Sequence, residues 1–195
     1  MAKRVGLLGG TFDPPHLGHL IAADQVLDQL ELDEVWLVVS NSPWQKTGAR
    51  TITPAATRLE LVEAAVVGAP GLVASGVELE IGGPSYTSVT LEVLEECYPE
   101  TDWLIIVGAD AAAGLDSWHR AEELRRQRRF VVVNRPGVAA NTPEGWNCFP
   151  VEIPPIALSS TELRIMVEGG RSIRHLCPAL VAQAIARLGL YGRRS

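Results

Sequence analysis

Short, continuously apolar segments recur along this chain, and stretches long enough for a helix separate them. Strands that are apolar at every position are typical of a sheet covered by helices on both faces, whereas a sheet with one wet face alternates apolar and polar residues. Parallel strands also need a long crossover between them, which is normally a helix. The pattern therefore predicts an α/β fold built on a parallel sheet.

The same pattern gives the approximate bounds of each element. Strands are predicted at residues 5–8, 35–39, within 72–81, and at 103–107, 130–133 and 151–153. Helices are predicted at residues 17–30, 58–67, 88–98, 121–126 and 178–188, and a further helix begins at Ser159 and ends at Gly169-Gly170. Thr53 is predicted to be the N-cap of the second helix and Pro54 to lie in its first turn, and residues 135–150 are predicted to be a loop.

Length and composition favour one globular domain over residues 1–195, with a C-terminal helical part from about residue 159. The net charge of −6 argues against nucleic-acid binding through phosphate neutralisation. The chain shows no signal-peptide core and no segment of membrane-spanning length, so we expect a cytoplasmic protein. Three widely spaced cysteines indicate neither a disulfide framework nor a zinc knuckle.

The segment Gly-Gly-Thr-Phe-Asp-Pro-Pro-His-Leu-Gly-His, residues 9–19, joins the first strand to the first helix. In an open parallel sheet, ligands bind outside the carboxyl ends of the strands, where a helix start offers free N–H groups to a phosphate. Gly9 and Gly10 let the backbone approach an anion closely. Gly18 is expected either to leave room for a nucleotide base or ribose or to allow close contact between helix and sheet.

His16 and His19 are three residues apart, so a helix that begins near His16 would bring both imidazoles to one phosphate. A His-x-x-His pair alone could also bind zinc, but zinc needs further ligands and none lies nearby in the sequence. The strand–Gly-Gly–helix context therefore favours phosphate. His119 and His175 have no such context, and we expect them to be incidental.

A second anion-binding helix start is predicted at Ser159, where Glu162 completes a capping-box pattern. Ser160, Thr161 and Arg164 follow on the first turns of this helix. Simple capping and phosphate binding explain these residues equally well when they are taken alone. Together with the segment at residues 9–19, they favour phosphate binding.

With these residues in view, the chain resembles the nucleotidylyltransferase superfamily, whose signature Gly-x-Phe-Asp-x-x-His-x-Gly-His is complete here. More narrowly it is similar to the nicotinate-nucleotide adenylyltransferase family. Three later segments carry that similarity, namely residues 84–87 (Pro-Ser-Tyr-Thr), residues 108–110 (Gly-Ala-Asp) with Trp118, and residues 159–164 (Ser-Ser-Thr-Glu-Leu-Arg). The resemblance runs from about residue 5 to residue 191 and implies a Rossmann-like, doubly wound sheet with a short C-terminal helical extension.

The resemblance also implies what the site residues do. It implies transfer of the adenylyl group of ATP to nicotinate mononucleotide, with Mg²⁺ held mainly by the ATP phosphates. The implied catalytic residues are His16, His19, Lys46 and Arg164. The implied ATP-binding residues are Gly9, Gly10, Thr11, Phe12, Gly18, Gly108, Asp110, Ser159, Ser160 and Thr161. The implied acceptor-binding residues are Tyr86, Thr87 and Trp118, with no protein metal ligand.

Two departures from the family pattern stand out. The family often has Pro-Pro-His-Lys after the second strand, whereas this chain has Pro-Trp-Gln-Lys at residues 43–46, so only Lys46 transfers directly. Leu158 replaces an isoleucine of the family. Asp13 is a candidate magnesium ligand, although a hydrogen bond within its own turn explains it equally well.

Several other functions share features with adenylyl transfer to nicotinate mononucleotide. A nicotinamide mononucleotide or phosphopantetheine adenylyltransferase shares the phosphate chemistry, and an inactive nucleotide-binding module shares the fold. The sequence argues against a dinucleotide-dependent oxidoreductase, because Gly9 and Gly10 are not followed by the further glycines of the dinucleotide-binding fingerprint. The sequence does not decide whether the protein forms a homo-oligomer.

Overall fold

The computed structural model describes residues 2–42, 52–134 and 142–192. Its centre is a sheet of six parallel strands in the order β3-β2-β1-β4-β5-β6. The strands are β1 (Lys3–Gly10), β2 (Glu34–Val39), β3 (Leu72–Ser75), β4 (Thr101–Gly108), β5 (Phe130–Asn134) and β6 (Cys148–Glu152). The predicted parallel, doubly wound sheet is confirmed, with β1 and β4 side by side at its centre.

Helices cover both faces of the sheet, as predicted. They are α1 (Leu17–Gln29), α2 (Ala55–Val66), α3 (Val77–Ile81), α4 (Thr87–Cys97), α5 (Ala109–Ala112), α6 (Ala121–Gln127), α7 (Ser160–Glu168) and α8 (Ala179–Arg187), with a 3₁₀ turn at Leu115–Ser117. One face packs mainly against α4 and α6 and the other against α1 and α2. Because side chains alternate along a strand, neighbouring residues of β4 such as Ile105 and Ile106 enter different core clusters.

The segment predicted to contain the third strand splits into a strand and a helix. β3 ends at Ser75, and Gly76 precedes the short helix α3. Glu78 and Glu80 lie in its first turn, where negative side chains interact favourably with the helix dipole. A helix of five residues is too short to show a 3.6-residue period, which explains why the sequence did not reveal it.

The last strand begins earlier than predicted. β6 runs from Cys148 to Glu152, so it takes in the end of the predicted loop 135–150 and stops before Ile153. Pro150 lies inside it, opposite Val132. Proline cannot donate a ladder hydrogen bond, but β6 is an edge strand and needs to pair on one side only. Residues 135–141 of the predicted loop lie outside the described residues.

The start of α2 also differs from the prediction. Pro54, and not Thr53, is the residue before the first helical turn, and neither side chain caps the helix. The Thr53 carbonyl instead accepts a hydrogen bond from Nε of Arg58 at 2.8 Å. This contact holds Thr53 outside the helix.

The two C-terminal helices pack on α2. Leu163 of α7 and Val181 and Ile185 of α8 share a buried cluster with Leu61 and Ala65 of α2. Among the described residues, no helix has the length and apolar character that a membrane crossing requires.

Candidate active site

The strand order changes direction between β1 and β4, because the chain builds β2 and β3 on one side of β1 and then crosses to β4 on the other. At such a point the connections leave in opposite directions and a crevice forms outside the carboxyl ends of the strands. Gly9 is the last residue but one of β1, and Gly108 ends β4. A Cβ added at either glycine would have no heavy atom within 4 Å, so both backbones are open to close approach.

A pocket of about 570 Å³ occupies this crevice. It brings together the three residues predicted to bind the acceptor, Tyr86, Thr87 and Trp118, with five of those predicted to bind ATP. Those five are Gly9, Gly10, Thr11, Gly108 and Asp110. The volume lies in the range of small-molecule sites. Segments that are far apart in the sequence therefore converge where the motifs predicted.

His16 and His19 lie at the start of α1, where the turn that follows β1 ends. His16 is the N-cap residue in extended conformation, and the two imidazoles stack with centroids 3.8 Å apart and planes at 29°. The backbone N–H of His16 donates to Nδ1 of His19 at 3.1 Å. Because Nδ1 of His19 accepts, the ring proton of neutral His19 lies on Nε2, which makes this nitrogen a donor.

Two glycines and one phenylalanine shape this pair. A Cβ on Gly18 would lie 3.0 Å from Cε1 and Nδ1 of His16, so this glycine makes room for the imidazole. A Cβ on Gly10 would lie 2.7 Å from the ring of Phe12. That ring is 2% exposed and meets His19 edge-on at 5.0 Å. The Phe12 side chain thus supports His19 from the core, with its backbone at φ 47°, a costly conformation for a residue with a side chain.

Burial keeps His16 neutral. Desolvation lowers the pKa of His16 from 6.5 to about 4, and the nearby negative charge of Glu162 opposes the shift only in part. Nδ1 of His16 is buried without a hydrogen-bond partner within the described ranges. The site therefore places one neutral, partly unsatisfied imidazole directly against a second one.

The start of α7 docks onto the turn that precedes the histidines. Ser159 caps α7 as predicted, by accepting from the backbone N–H of Glu162 at 3.2 Å. The Glu162 carboxylate accepts from the Ser159 hydroxyl at 2.8 Å, whereas in a capping box it would accept from the Ser159 backbone N–H. Ser160 donates its hydroxyl to the Pro14 carbonyl at 2.8 Å. Arg164 donates to the Asp13 carbonyl at 2.7 Å and to the Thr161 hydroxyl at 2.9 Å. The two helix starts therefore lie side by side.

Asp13 is buried, and its carboxylate is held by the protein. Its Oδ1 accepts from the Tyr191 hydroxyl at 2.6 Å, and its Oδ2 accepts from the backbone N–H of Thr53 at 3.4 Å. Burial and the hydrogen bond to Asp13 raise the pKa of Tyr191 well above its ordinary value. Nothing in the sequence pattern indicated this link across the chain.

His119, which sequence context indicated to be incidental, lines the pocket. Its ring stacks on Tyr86 with centroids 4.3 Å apart, and its Nδ1 lies 3.0 Å from the Ser88 hydroxyl. His119 directly follows Trp118, which was predicted to bind the acceptor, and this adjacency was the one signal available in the sequence.

Glu78 is a second pocket residue that sequence reasoning missed. It is 7% exposed and accepts from the Thr90 hydroxyl at 2.9 Å. Burial raises its pKa, and the hydroxyls of Ser85 and Thr90 and the charge of Arg58 counteract part of that rise. A glutamate in an unrecognised short helix gave no signal in the sequence.

Lys46, Trp44 and Gln45, where the family pattern is only partly kept, lie outside the described residues. No group of three or more histidine, cysteine, aspartate or glutamate side chains that could hold a metal ion occurs in the described ranges.

Comparison with known proteins shows the family of this chain. The chain matches the cytidylyltransferase-like family model over residues 7–165. It is 44% identical over 188 residues to a probable nicotinate-nucleotide adenylyltransferase of Exiguobacterium sibiricum, covering 96% of this chain and 98% of the relative. A protein of the same description from Corynebacterium kroppenstedtii is 41% identical over 192 residues, covering 96% of this chain and 90% of that protein.

Solved structures support the fold independently. The nicotinic acid mononucleotide adenylyltransferase of Plasmodium falciparum complexed with NaAD superposes with a TM-score of 0.78 at 18% identity, covering 97% of each chain. A nicotinate-nucleotide adenylyltransferase structure from Vibrio parahaemolyticus has a TM-score of 0.69 at 22% identity, covering 98% of this chain and 97% of that one. Sequence identity over nearly the whole chain and the complete signature together decide the family. This chain belongs to the nicotinate-nucleotide adenylyltransferase family, within the cytidylyltransferase-like proteins.

Proposed function

We infer that this chain is an enzyme that transfers the adenylyl group of ATP to nicotinate mononucleotide in NAD biosynthesis. The products are nicotinate adenine dinucleotide and pyrophosphate. One observation carries the inference: the stacked imidazoles of His16 and His19 end the turn whose first residues, 9–11, line a switch-point pocket together with Tyr86, Thr87 and Trp118. Phosphate-binding groups and an aromatic acceptor site thus lie at the same edge of the sheet.

The reaction asks the protein for positioning and charge stabilisation. The acceptor phosphate is already anionic at neutral pH and attacks the α-phosphorus in line, while the bond to the bridging oxygen of pyrophosphate breaks. No proton has to be removed from the nucleophile, so no general base is required. The transfer is direct, without a covalent enzyme intermediate.

The proposed catalytic residues stabilise the charge that develops on the phosphates. Nε2–H of His19 and the imidazole of His16 are proposed as donors at the start of α1, and Arg164 adds a cation from α7. Lys46 is proposed for the same task from the sequence. Charge-assisted donors of this kind are worth most where water is excluded.

The remaining ATP contacts are proposed for backbone and small side chains. Gly9, Gly10, Thr11, Gly108 and Asp110 line the crevice. Gly18 and Phe12 act through the histidines that they support. The hydroxyls of α7, on Ser159, Ser160 and Thr161, already bond within the protein and are proposed to assist through the helix start that they shape.

The acceptor is proposed to bind against Tyr86, Thr87 and Trp118. An aromatic ring of the acceptor can stack on the indole of Trp118, which lines the pocket next to His119. Nicotinamide mononucleotide differs only at one carboxylate, so it is the natural competitor in any assay.

Mg²⁺ is proposed to reach the site on the phosphates of ATP. The described side chains fit that arrangement. The Asp13 carboxylate, the candidate protein ligand for the ion, already accepts hydrogen bonds from Tyr191 and Thr53. Magnesium commonly keeps water and phosphate ligands and needs few from the protein. When bound it neutralises phosphate charge, which adds to what the histidines and Arg164 supply.

We propose that the enzyme works in the cytoplasm. Both substrates are multiply charged phosphate esters that do not cross membranes unaided. Fractionation of cells that make the tagged protein tests this, since recovery with a membrane or secreted fraction would contradict it.

The deciding experiment is pyrophosphate release by the purified protein with Mg²⁺ and ATP. Nicotinate mononucleotide, nicotinamide mononucleotide and 4′-phosphopantetheine are offered separately. We expect the nicotinate substrate to give the highest kcat/KM. His19→Ala should lower kcat by about 10²–10³-fold, the usual cost of one charge-stabilising donor.

His175→Asn is the matched control, because His175 is exposed and its φ of 64° suits asparagine. It should leave kcat unchanged. Preference for another acceptor would correct the substrate. An inactive wild-type protein that still binds ATP would instead support the nucleotide-binding module.

Metal dependence is tested on the same assay. Chelation should abolish turnover, and Mg²⁺ should restore it with a dependence that follows the MgATP concentration. Calorimetry should show no tight Mg²⁺ binding to the protein without ATP. Tight binding under that condition would mean that protein carboxylates hold the ion.

A further inference from the structure

Arg58 is one of the largest fully buried side chains of the protein, with 1% of its surface exposed. It lies on α2, and no motif in the sequence drew attention to it. Taking a guanidinium out of water costs several kcal/mol unless its donors are well used. Its partners therefore indicate what the buried charge is for.

Within the described part of the chain, the guanidinium donates to backbone carbonyls of three separate segments. Nη1 donates to Thr11 O at 2.8 Å, and Nη2 donates to Ser40 O at 2.7 Å and Asn41 O at 3.3 Å. Nε donates to Thr53 O at 2.8 Å. One side chain thus ties the turn after β1 to the residues after β2 and to the approach to α2.

Two of these carbonyls belong to residues that line the pocket. Thr11 and Ser40 face the crevice at the carboxyl ends of β1 and β2, whereas Arg58 is not among the lining residues. The guanidinium therefore contacts these two residues on the side away from the pocket. From there it sets the spacing between the carboxyl ends of β1 and β2.

We propose that Arg58 is a positioning residue for adenylyl transfer, acting through the backbones of Thr11 and Ser40; this rests on the proposed function. The turn that carries Thr11 leads directly to His16 and His19. A shift of its backbone moves both imidazoles relative to the ATP phosphates. Misplacement of about 1 Å can cost about 10²-fold in rate.

The fixed shape of the guanidinium is what the role requires. Arginine presents its donors in a rigid planar fork, while lysine has a single ammonium on a flexible stem. Lysine at position 58 would keep the positive charge near Glu78 but could not hold the same carbonyls at the same spacing. Substitution by lysine therefore separates charge from geometry.

The test compares Arg58→Lys with Arg4→Lys. Arg4 also binds a carbonyl with its guanidinium, Leu30 O at 2.9 Å, but at the amino end of β1. We expect both variants to have a lower Tm. For Arg58→Lys, kcat per folded molecule should fall about 10- to 100-fold with both KM values within about threefold, since positioning matters in the transition state. For Arg4→Lys, kcat should not change.

Assays at low temperature, with the folded fraction measured by circular dichroism, keep destabilised variants informative. Arg58→Gln serves if the lysine variant does not fold, and it should show the same loss of kcat. If Arg58→Lys has a lower Tm but the kcat of the wild-type protein, Arg58 has only a structural role and the proposal is overturned. An equal loss of kcat in Arg4→Lys would overturn it too. Inactivity of the wild-type protein with every acceptor would refute the proposed function instead.

Discussion

The two signature histidines differ in their surroundings, and this difference decides what each can do. His19 has its Nδ1 engaged by the backbone of His16, which directs its proton to Nε2. His16 is buried over Gly18 and has a lowered pKa. The His-x-x-His spacing predicted that the rings would be neighbours. It could not predict their stacking, because that depends on backbone conformation at His16 and on space above Gly18.

The buried His16 makes stability depend on pH. Its folded pKa of about 4 lies below its ordinary value of 6.5, so the unfolded chain binds more protons between these values. The stability of the neutral buried form is fully present above pH 6.5 and is lost as the pH falls towards 4. At pH 5 the loss amounts to at most about 2 kcal/mol of unfolding free energy.

Urea denaturation from neutral pH down to pH 5 checks this expectation. His16→Asn, which cannot titrate, should lose less stability than the wild-type protein over that interval. Equal losses in the two proteins would mean that His16 is readily protonated in the folded state.

At the scale of elements, sequence reasoning succeeded where a local signal exists. The N-cap at Ser159, the strand runs and the ends of α7 and α8 follow from neighbouring residues, and the structure confirms them. α3 and the early start of β6 were missed. A five-residue helix has no visible period, and the Pro150 strand is permitted by its edge position, which only the assembled sheet reveals.

The Ser159 cap should contribute measurably to stability. Ser159→Ala removes the hydroxyl that accepts from the Glu162 backbone and should lower the unfolding free energy by about 1 kcal/mol. Ser159→Asp retains an acceptor at the helix start and should recover most of that loss. Chemical denaturation of the three proteins measures it, and a Ser159→Ala variant as stable as wild type would show that the cap is redundant.

At the scale of the whole molecule, the sheet places the motifs, and distant contacts hold them. The alternation of strands and helices predicted the parallel sheet, and the signature predicted a ligand site at the carboxyl ends of the strands, where the structure has a pocket. The supports of the signature turn were not predictable, because Arg58, Ser160 and Tyr191 reach it through single hydrogen bonds over separations of 47, 146 and 178 residues. No local pattern encodes such pairings.

The contact between Tyr191 and Asp13 can be tested by removing one hydroxyl. Tyr191→Phe leaves a buried carboxylate without its 2.6 Å donor, so we expect a loss of about 1–3 kcal/mol in unfolding free energy. Tyr98→Phe is the control, because Tyr98 is exposed. Unchanged stability in Tyr191→Phe would indicate that another donor replaces the hydroxyl.

The distances in sequence that separate these contacts also have a consequence for biosynthesis. The turn at residues 9–19 leaves the ribosome early, but its last support comes from Tyr191, after α8 has been made. A nascent chain that has completed β1 to β5 holds most of the sheet and Arg58, but it still lacks Ser160 and Tyr191. The nucleotide-binding turn therefore gains its full set of described supports only when synthesis of the chain is almost finished.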